Sequence, residues 1–345
     1  MTATGVSTEA VPASQDGAGK TPELTAEEKA AILADVLPWI QRLQGKVVVI
    51  KHGGSTMEGA GPGPAIPGAG APGIPGSGGN ASGAAGEAAT GGVLRDIVML
   101  RALGVRPVVV HGGGKTITAW LERLGLPARF VNGLRVTDAE TMTVVEMVLA
   151  GLVNKALVAG LNRLDGGCAI GLSGFDGALL TARQRRSPAG DLGHVGEIVA
   201  VRVEFLNRLL ADGFIPVIAP VAADERGVHY NVNADDAAAA VAGALRAEKL
   251  VFLTDVPGVM VDADRDGTPE PVSQIDAATA RQFIARGEIR GGMVPKVEAG
   301  LRALAAGVGS VHIIDGRRPH ALLVELFTSE GVGTMVVGGE RGRVA

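Results

Sequence analysis

Two lysines flanked by glycines stand far apart in the sequence, in Lys51-His52-Gly53-Gly54 and in Gly291-Gly292-Met293-Val294-Pro295-Lys296. Glycine lets backbone N–H groups approach an anion closely, and lysine adds a compact positive charge, so each stretch suits a phosphate contact. A strand-end lysine before a flexible turn would carry the same letters. A third stretch, His111-Gly112-Gly113-Gly114-Lys115-Thr116, places three glycines ahead of a helical pattern. Three in a row exceed the needs of one tight turn and fit an anion cradle at a helix start. It is not a Walker loop, because the first glycine of that motif would fall on Val109. Arg135, in Gly133-Leu134-Arg135-Val136-Thr137, carries a planar fork suited to a carboxylate, and reads equally well as a solvated surface arginine. Tyr230-Asn231-Val232-Asn233-Ala234-Asp235-Asp236 opens an alanine-rich helix, where Asn and Asp serve as caps or hold a substrate and orient a cation. No His/Cys cluster has metal-ligand spacing, so no metal site is assigned to the protein, and no Gly-x-Ser-x-Gly elbow occurs. Glycine cradles with two lysines fit phosphoryl transfer, in which positioning and charge neutralisation supply most of the catalysis.

The elements that must position these residues alternate in type. Lys46–Lys51 is an unbroken β-branched run, as expected of a strand buried on both faces. Similar runs recur at Pro107–His111, Ala169–Ser173, Ile215–Pro220, Leu250–Val256, Val311–Asp315 and Thr334–Val337, with helical patterns between most of them. This predicts an α/β fold with an open, mostly parallel central sheet sandwiched between helices. Ligands of such sheets bind beyond the carboxyl ends of the strands, where the glycine turns lie. Thr25 and Glu28 form a capping-box pattern ahead of Ile32, Leu33, Val36, Leu37, Ile40 and Leu43, an amphipathic helix within 25–45 expected to kink near Pro38. Residues 1–24 read as a disordered tail, and 58–92, rich in Gly, Ala and Pro, as a flexible insertion. Gly68-Ala-Gly70-Ala-Pro-Gly73 inside the insertion matches a dinucleotide fingerprint by chance, since no strand precedes it and no helix follows.

Aromatics are only 3% of the chain, so the core must be aliphatic. The formal net charge of −4 gives no reason to expect a nucleic-acid or membrane partner. A lone Cys168 cannot form an internal disulfide, and no signal or transit pattern opens the chain, so a cytoplasmic location is expected.

Taken in order, the motifs resemble the amino-acid kinase family, in its branch acting on N-acetyl-L-glutamate. They are Val48–Gly54, Pro107–Gly114, Gly133–Asp138, Gly171–Gly177, Asp191–Glu197, Tyr230–Asp235, Leu253–Gly258, Gly292–Lys296 and His320–Thr334. The resemblance implies direct transfer from ATP, with Mg2+ carried mainly by the phosphates, onto the side-chain carboxylate of N-acetyl-L-glutamate. It implies Lys51 and Lys296 as charge-neutralising catalytic residues organised by Asp235. Gly113, Gly114, Arg135 and Asn231 would bind the acceptor. Gly53, Gly54, Asp255, Val256, Gly258, Gly292 and Met293 would receive ATP. It further implies an acceptor and dimerisation lobe over 46–230 and a nucleotide lobe over 231–345. Arginine would act as a feedback effector at Lys249, His320, Glu325 and Gly331. The 25–45 helix would join dimers into a hexamer. The chain departs from the family pattern at Ser55-Thr56 and Lys115-Thr116. Kinases of the same family for carbamate, glutamate, aspartate or UMP, and a weakened arginine-binding subunit, are the rival readings.

Overall fold

The computed structural model describes residues 24–53, 82–188, 190–261 and 269–339. The elements run α1 (Ala26–Leu43), β1 (Val47–His52), α2 (Ser82–Ala102), β2 (Arg106–His111), α3 (Gly114–Arg123), β3 (Phe130–Val131), β4 (Leu134–Arg135) and α4 (Ala139–Glu146). Next come α5 (Asn154–Asp165), β5 (Ala169–Ser173), β6 (Leu180–Gln184), β7 (Val195–Val201), α6 (Val203–Ala211), β8 (Ile215–Ala219), β9 (Val221–Ala223) and β10 (His229–Val232). The remainder are α7 (Ala234–Leu245), β11 (Lys249–Thr254), β12 (Met260–Val261), β13 (Glu270–Pro271), β14 (Gln274–Asp276), α8 (Ala277–Ala285), α9 (Met293–Ala305), β15 (Ser310–Asp315), α10 (Ala321–Phe327) and β16 (Gly333–Val337).

All seven apolar runs become strands of one eight-stranded sheet, in the order β14-β16-β15-β11-β1-β2-β8-β5. Only the β15–β16 pairing is antiparallel. The register sets His52 beside His111 and Lys51 beside both Val110 and Phe252. Gly53 after β1 and Gly112 after β2 therefore leave the sheet side by side. Val49, Val108, Val110, Phe252, Val311 and Ile313 form one core with Ala237, Ala238 and Val241 of α7 and Val297 and Leu301 of α9. Successive strand residues point to opposite faces, so the buried Val48, Ile50 and Val109 serve the other side. There α2 and α5 pack against β2, β5 and β8. A second, small sheet closes on itself as β10-β7-β6-β9. β9 and β10 hold only three and four residues, and β6 and β7 are partly exposed, so a search for unbroken apolar runs does not flag them.

The chain divides into two units, Met1–Pro38 and Trp39–Ala345. Within the first, the capping box is complete: Glu28 N donates to Thr25 Oγ1 at 3.1 Å and Thr25 N donates to Glu28 Oε2 at 2.8 Å. Residues 1–23 of the expected tail and 58–81 of the expected insertion lie outside the described residues. The rest of that insertion is corrected, because residues 82–92 belong to α2. Alanine is the best helix former, and the buried Val93, Leu94, Ile97 and Leu100 anchor the same helix. Between α4 and α5 the chain does not break. A π-helical stretch, Met147–Val153, joins them into one helix, Ala139–Asp165, long and apolar enough to cross a membrane. Here Val144, Val145, Val148 and Leu149 are buried against Ile117 and Leu121 of α3.

Candidate active site

Asp235 sits in the first turn of α7, where the Asn233 side chain caps the helix by accepting from Asp235 N at 2.8 Å and Asp236 N at 3.1 Å. That cap fixes where the Asp235 carboxylate points. Lys51 Nζ at the end of β1 lies 2.9 Å from its Oδ1, and Lys296 Nζ on α9 lies 3.1 Å from its Oδ2. Two cations more than 240 residues apart in sequence thus share one buried carboxylate. Burial alone would raise the Asp235 carboxyl, but the two ammonium groups outweigh it and hold it below the ordinary carboxylate range.

Beside this trio opens a cavity of about 230 Å³, lined by Lys51, Gly113, Gly114, Arg135, Asn231 and Asp235 among others. Gly113 caps α3 from the N-terminal side. A Cβ on Gly113 would come within 2.6 Å of Leu149 Cδ2, so the π-helical stretch packs tightly against this glycine and a larger residue would have to displace the leucine. Asn231 Nδ2 donates to Thr137 Oγ1 at 3.2 Å, and Thr137 Oγ1 donates to the Arg135 carbonyl at 2.8 Å. Arg135 is buried, and its guanidinium lies 4.7 Å from the centre of the Phe130 ring. Its Nη2 donates to Gly114 O and to Thr118 Oγ1, both at 2.9 Å. Nη1 is buried and has no partner among the described residues. The fork expected for bidentate recognition is therefore half committed inside the protein.

Two buried histidines underlie the glycine turns. Asn154 Nδ2 donates to Val217 O at 2.8 Å, which fixes the amide's orientation. Its other hydrogen points to His111 Nε2 at 3.1 Å, so that nitrogen accepts, and the proton on Nδ1 is donated to Gly112 O at 2.9 Å. Burial pushes His111 down to about 4. Burial, with His111 and Lys51 nearby, pushes His52 down to about 3. Both are neutral in the folded chain at pH 7, whereas in the unfolded chain each takes a proton near its ordinary pKa of about 6.5. The unfolded state then binds more protons between pH 6.5 and 4, so stability is fully present above 6.5 and falls as pH drops through that window. Urea midpoints from pH 7.5 to 4.5 should show this decline, with a shallower slope in His111→Gln. A midpoint constant across the window would contradict the buried neutral pair.

Residues 46–315 match the model of the amino acid kinase family. The chain belongs to that family. The acetylglutamate kinase of Prochlorococcus marinus (strain MIT 9303) is 49% identical over 312 residues, covering 90% of each chain. That of Gloeobacter violaceus (strain ATCC 29082 / PCC 7421) is 45% identical over 319 residues, covering 92% of this chain and 95% of its own. Among solved structures, N-acetylglutamate synthase from Neisseria gonorrhoeae, complexed with coenzyme A and N-acetyl-glutamate, superposes with a TM-score of 0.72 at 26% identity. The match covers 89% of this chain, which spans 63% of that synthase.

In this amino acid kinase the residues anticipated for the nucleotide are spread over separate loops. Gly53 is buried at the end of β1, and Gly54 lies outside the described residues. Asp255 and Val256 are exposed after β11, Gly258 is buried, and Gly292 and Met293 lead into α9. None of the described ones lines the cavity beside Asp235. Three of the four residues anticipated for an effector do meet. His312 links them, with Nδ1 at 2.5 Å from Glu325 Oε1 and Nε2 at 3.0 Å from Lys249 Nζ. Gly331 packs close enough that a Cβ would sit 3.1 Å from Glu325 Oε2. His320 instead pairs with Asp96, Nδ1 to Oδ1 at 2.7 Å. His312 and Ser310, whose Oγ lies 2.9 Å from His312 Nε2, were missed, although two polar residues alternating in a buried strand signalled them. Thr118, Phe130, Leu149 and Asn154 were missed as well.

Proposed function

We propose that the chain transfers the γ-phosphate of ATP to the γ-carboxylate of N-acetyl-L-glutamate. The observation that carries this is the convergence of Lys51 and Lys296 on Asp235, beside a cavity that presents a buried arginine. Arg135 and Asn231 hold the α-carboxylate of the acceptor, and its γ-carboxylate then faces Lys51. The carboxylate oxygen attacks phosphorus in line, the bond to the ADP oxygen breaks, and no phosphoenzyme forms. Charge spreads over the equatorial oxygens of the transferring group, where the two ammonium groups neutralise it. Gly113 N–H and the open first turn of α3 offer further donors. Asp235 is already paired with two lysines, so the donor chemistry leaves Mg2+ to the phosphates of ATP, whose charge it neutralises when bound. ATP itself is received on the Asp255–Gly258 and Gly292–Met293 loops.

The same reading makes this a cytoplasmic homo-oligomer restrained by arginine, through the Lys249–Glu325–Gly331 cluster and the 25–45 helix. A hydroxamate assay with N-acetyl-L-glutamate, glutamate, aspartate and carbamate tests the acceptor. We expect kcat/KM for acetylglutamate to exceed that for glutamate at least about a hundredfold, since a site built around a polar group rejects its absence strongly. Equal rates with glutamate would defeat the assignment. In the same assay added arginine should slow the intact chain, and a chain lacking residues 1–44 should lose that response.

A further inference from the structure

We propose that Thr118 is a positioning residue that decides which nitrogen of Arg135 meets the acceptor's carboxylate. The inference rests on the proposed role of Arg135 and extends it to a residue on a different element. Arg135 Nη2 has two hydrogens, and both are spent, on Gly114 O and on Thr118 Oγ1, each at 2.9 Å. The Thr118 hydroxyl donates its own hydrogen to the same Gly114 carbonyl at 3.0 Å. Guanidinium, hydroxyl and carbonyl thus form a closed triangle at the start of α3. Phe130 lies against the guanidinium, which restricts its tilt.

The consequence is chemical. An end-on bidentate clamp takes one hydrogen from each Nη, and a side-on clamp takes one from Nε and one from Nη2. With Nη2 committed, both clamps are closed, and the carboxylate is left with one hydrogen from a single nitrogen, Nε or Nη1, of which Nη1 is buried without a partner among the described residues. Its second oxygen must then find a donor elsewhere, and Asn231 lines the same cavity. Thr118 therefore turns a generic carboxylate fork into a single-nitrogen contact. Recognition then depends on where the rest of the acceptor lies.

Steady-state kinetics of the full chain test this with Thr118→Val, Thr118→Ser and Arg135→Gln. Valine keeps the shape and removes the hydroxyl. Without the hydroxyl the guanidinium is no longer held in the orientation that aims one nitrogen at the acceptor, so we expect KM for acetylglutamate to rise about tenfold, with kcat and KM for ATP within about twofold. Serine should restore the original KM. Arg135→Gln should raise KM for acetylglutamate at least about a hundredfold. Should Thr118→Val leave KM unchanged while Arg135→Gln raises it, the role of Thr118 is overturned and that of Arg135 stands. Should Arg135→Gln leave KM unchanged, the acceptor site itself is misplaced. A Thr118→Val variant that loses thermal stability and raises both KM values together would show a general structural role and overturn the proposal.

Discussion

Replacing Lys51 or Lys296 with alanine should lower kcat about a hundredfold in each case, and replacing both should lower it far less than the ten-thousandfold of independent effects. A preorganised charge aimed at developing negative charge contributes roughly 3 kcal/mol, which sets the single-variant loss. Non-additivity follows from the shared carboxylate. Asp235 lies 2.9 Å from one ammonium and 3.1 Å from the other, so the trio carries a net single positive charge. Removing one lysine brings the site to neutrality. Removing the second leaves a buried carboxylate without a cation, which takes up a proton rather than remain charged. The site then returns to neutrality, and the second loss largely repeats the first. Stopped-time turnover of the two single variants and the double variant decides the matter. Near-normal turnover in either single variant, or a double loss equal to the product of the singles, would show that the lysines do not act as one unit.

Legibility in the sequence followed burial. Lys46–Lys51 and its six counterparts could be read because a strand covered on both faces must be apolar throughout, and their alternation with helices fixed a mostly parallel sheet. The small β-barrel strands and β14 left no such mark, being three to seven residues long and partly exposed. At the site, Lys51 and Lys296 were marked as candidates by their glycines, and Asp235 only by the family resemblance, since Asn and Asp at a helix start also serve as plain caps. The state of Arg135 was not, because the type of a residue says nothing about which of its nitrogens other parts of the chain have already used. Thr118 reads as an ordinary polar residue on a helix surface, and Phe130 as one aromatic in a loop. The π-helical turn that brings Leu149 against Gly113 has no sequence signature, since the same apolar letters would fill a regular helix. His320 shows the converse: its motif position was clear, yet its partner proved to be Asp96, on a helix whose N-terminal part was read as loop.

Asn154 is the residue whose loss should cost the fold most for the fewest atoms. It is fully buried in the first turn of α5, and its amide nitrogen serves Val217 O at 2.8 Å and His111 Nε2 at 3.1 Å. Space for it exists only because residue 171 is glycine: a Cβ there would come within 2.1 Å of Asn154 Oδ1. Asn154→Leu preserves volume but strands a buried imidazole nitrogen and a strand carbonyl, each costing about 1–3 kcal/mol when left unsatisfied. We expect a loss of about 3 kcal/mol in unfolding free energy by urea titration at pH 7.5, where His111 is neutral in both states. Removing the second partner should give some of this back, since replacing both members of a buried pair by apolar groups is less costly than orphaning one. His111→Leu added to Asn154→Leu should therefore fall short of the sum of the two single losses. The double variant keeps a third signature, because the Gly112 carbonyl has lost its Nδ1–H donor, so KM for the acceptor should rise even where stability has partly recovered. If Asn154→Leu stays within about 0.5 kcal/mol of the parent chain, the network beneath the glycine turn is not what holds it in place.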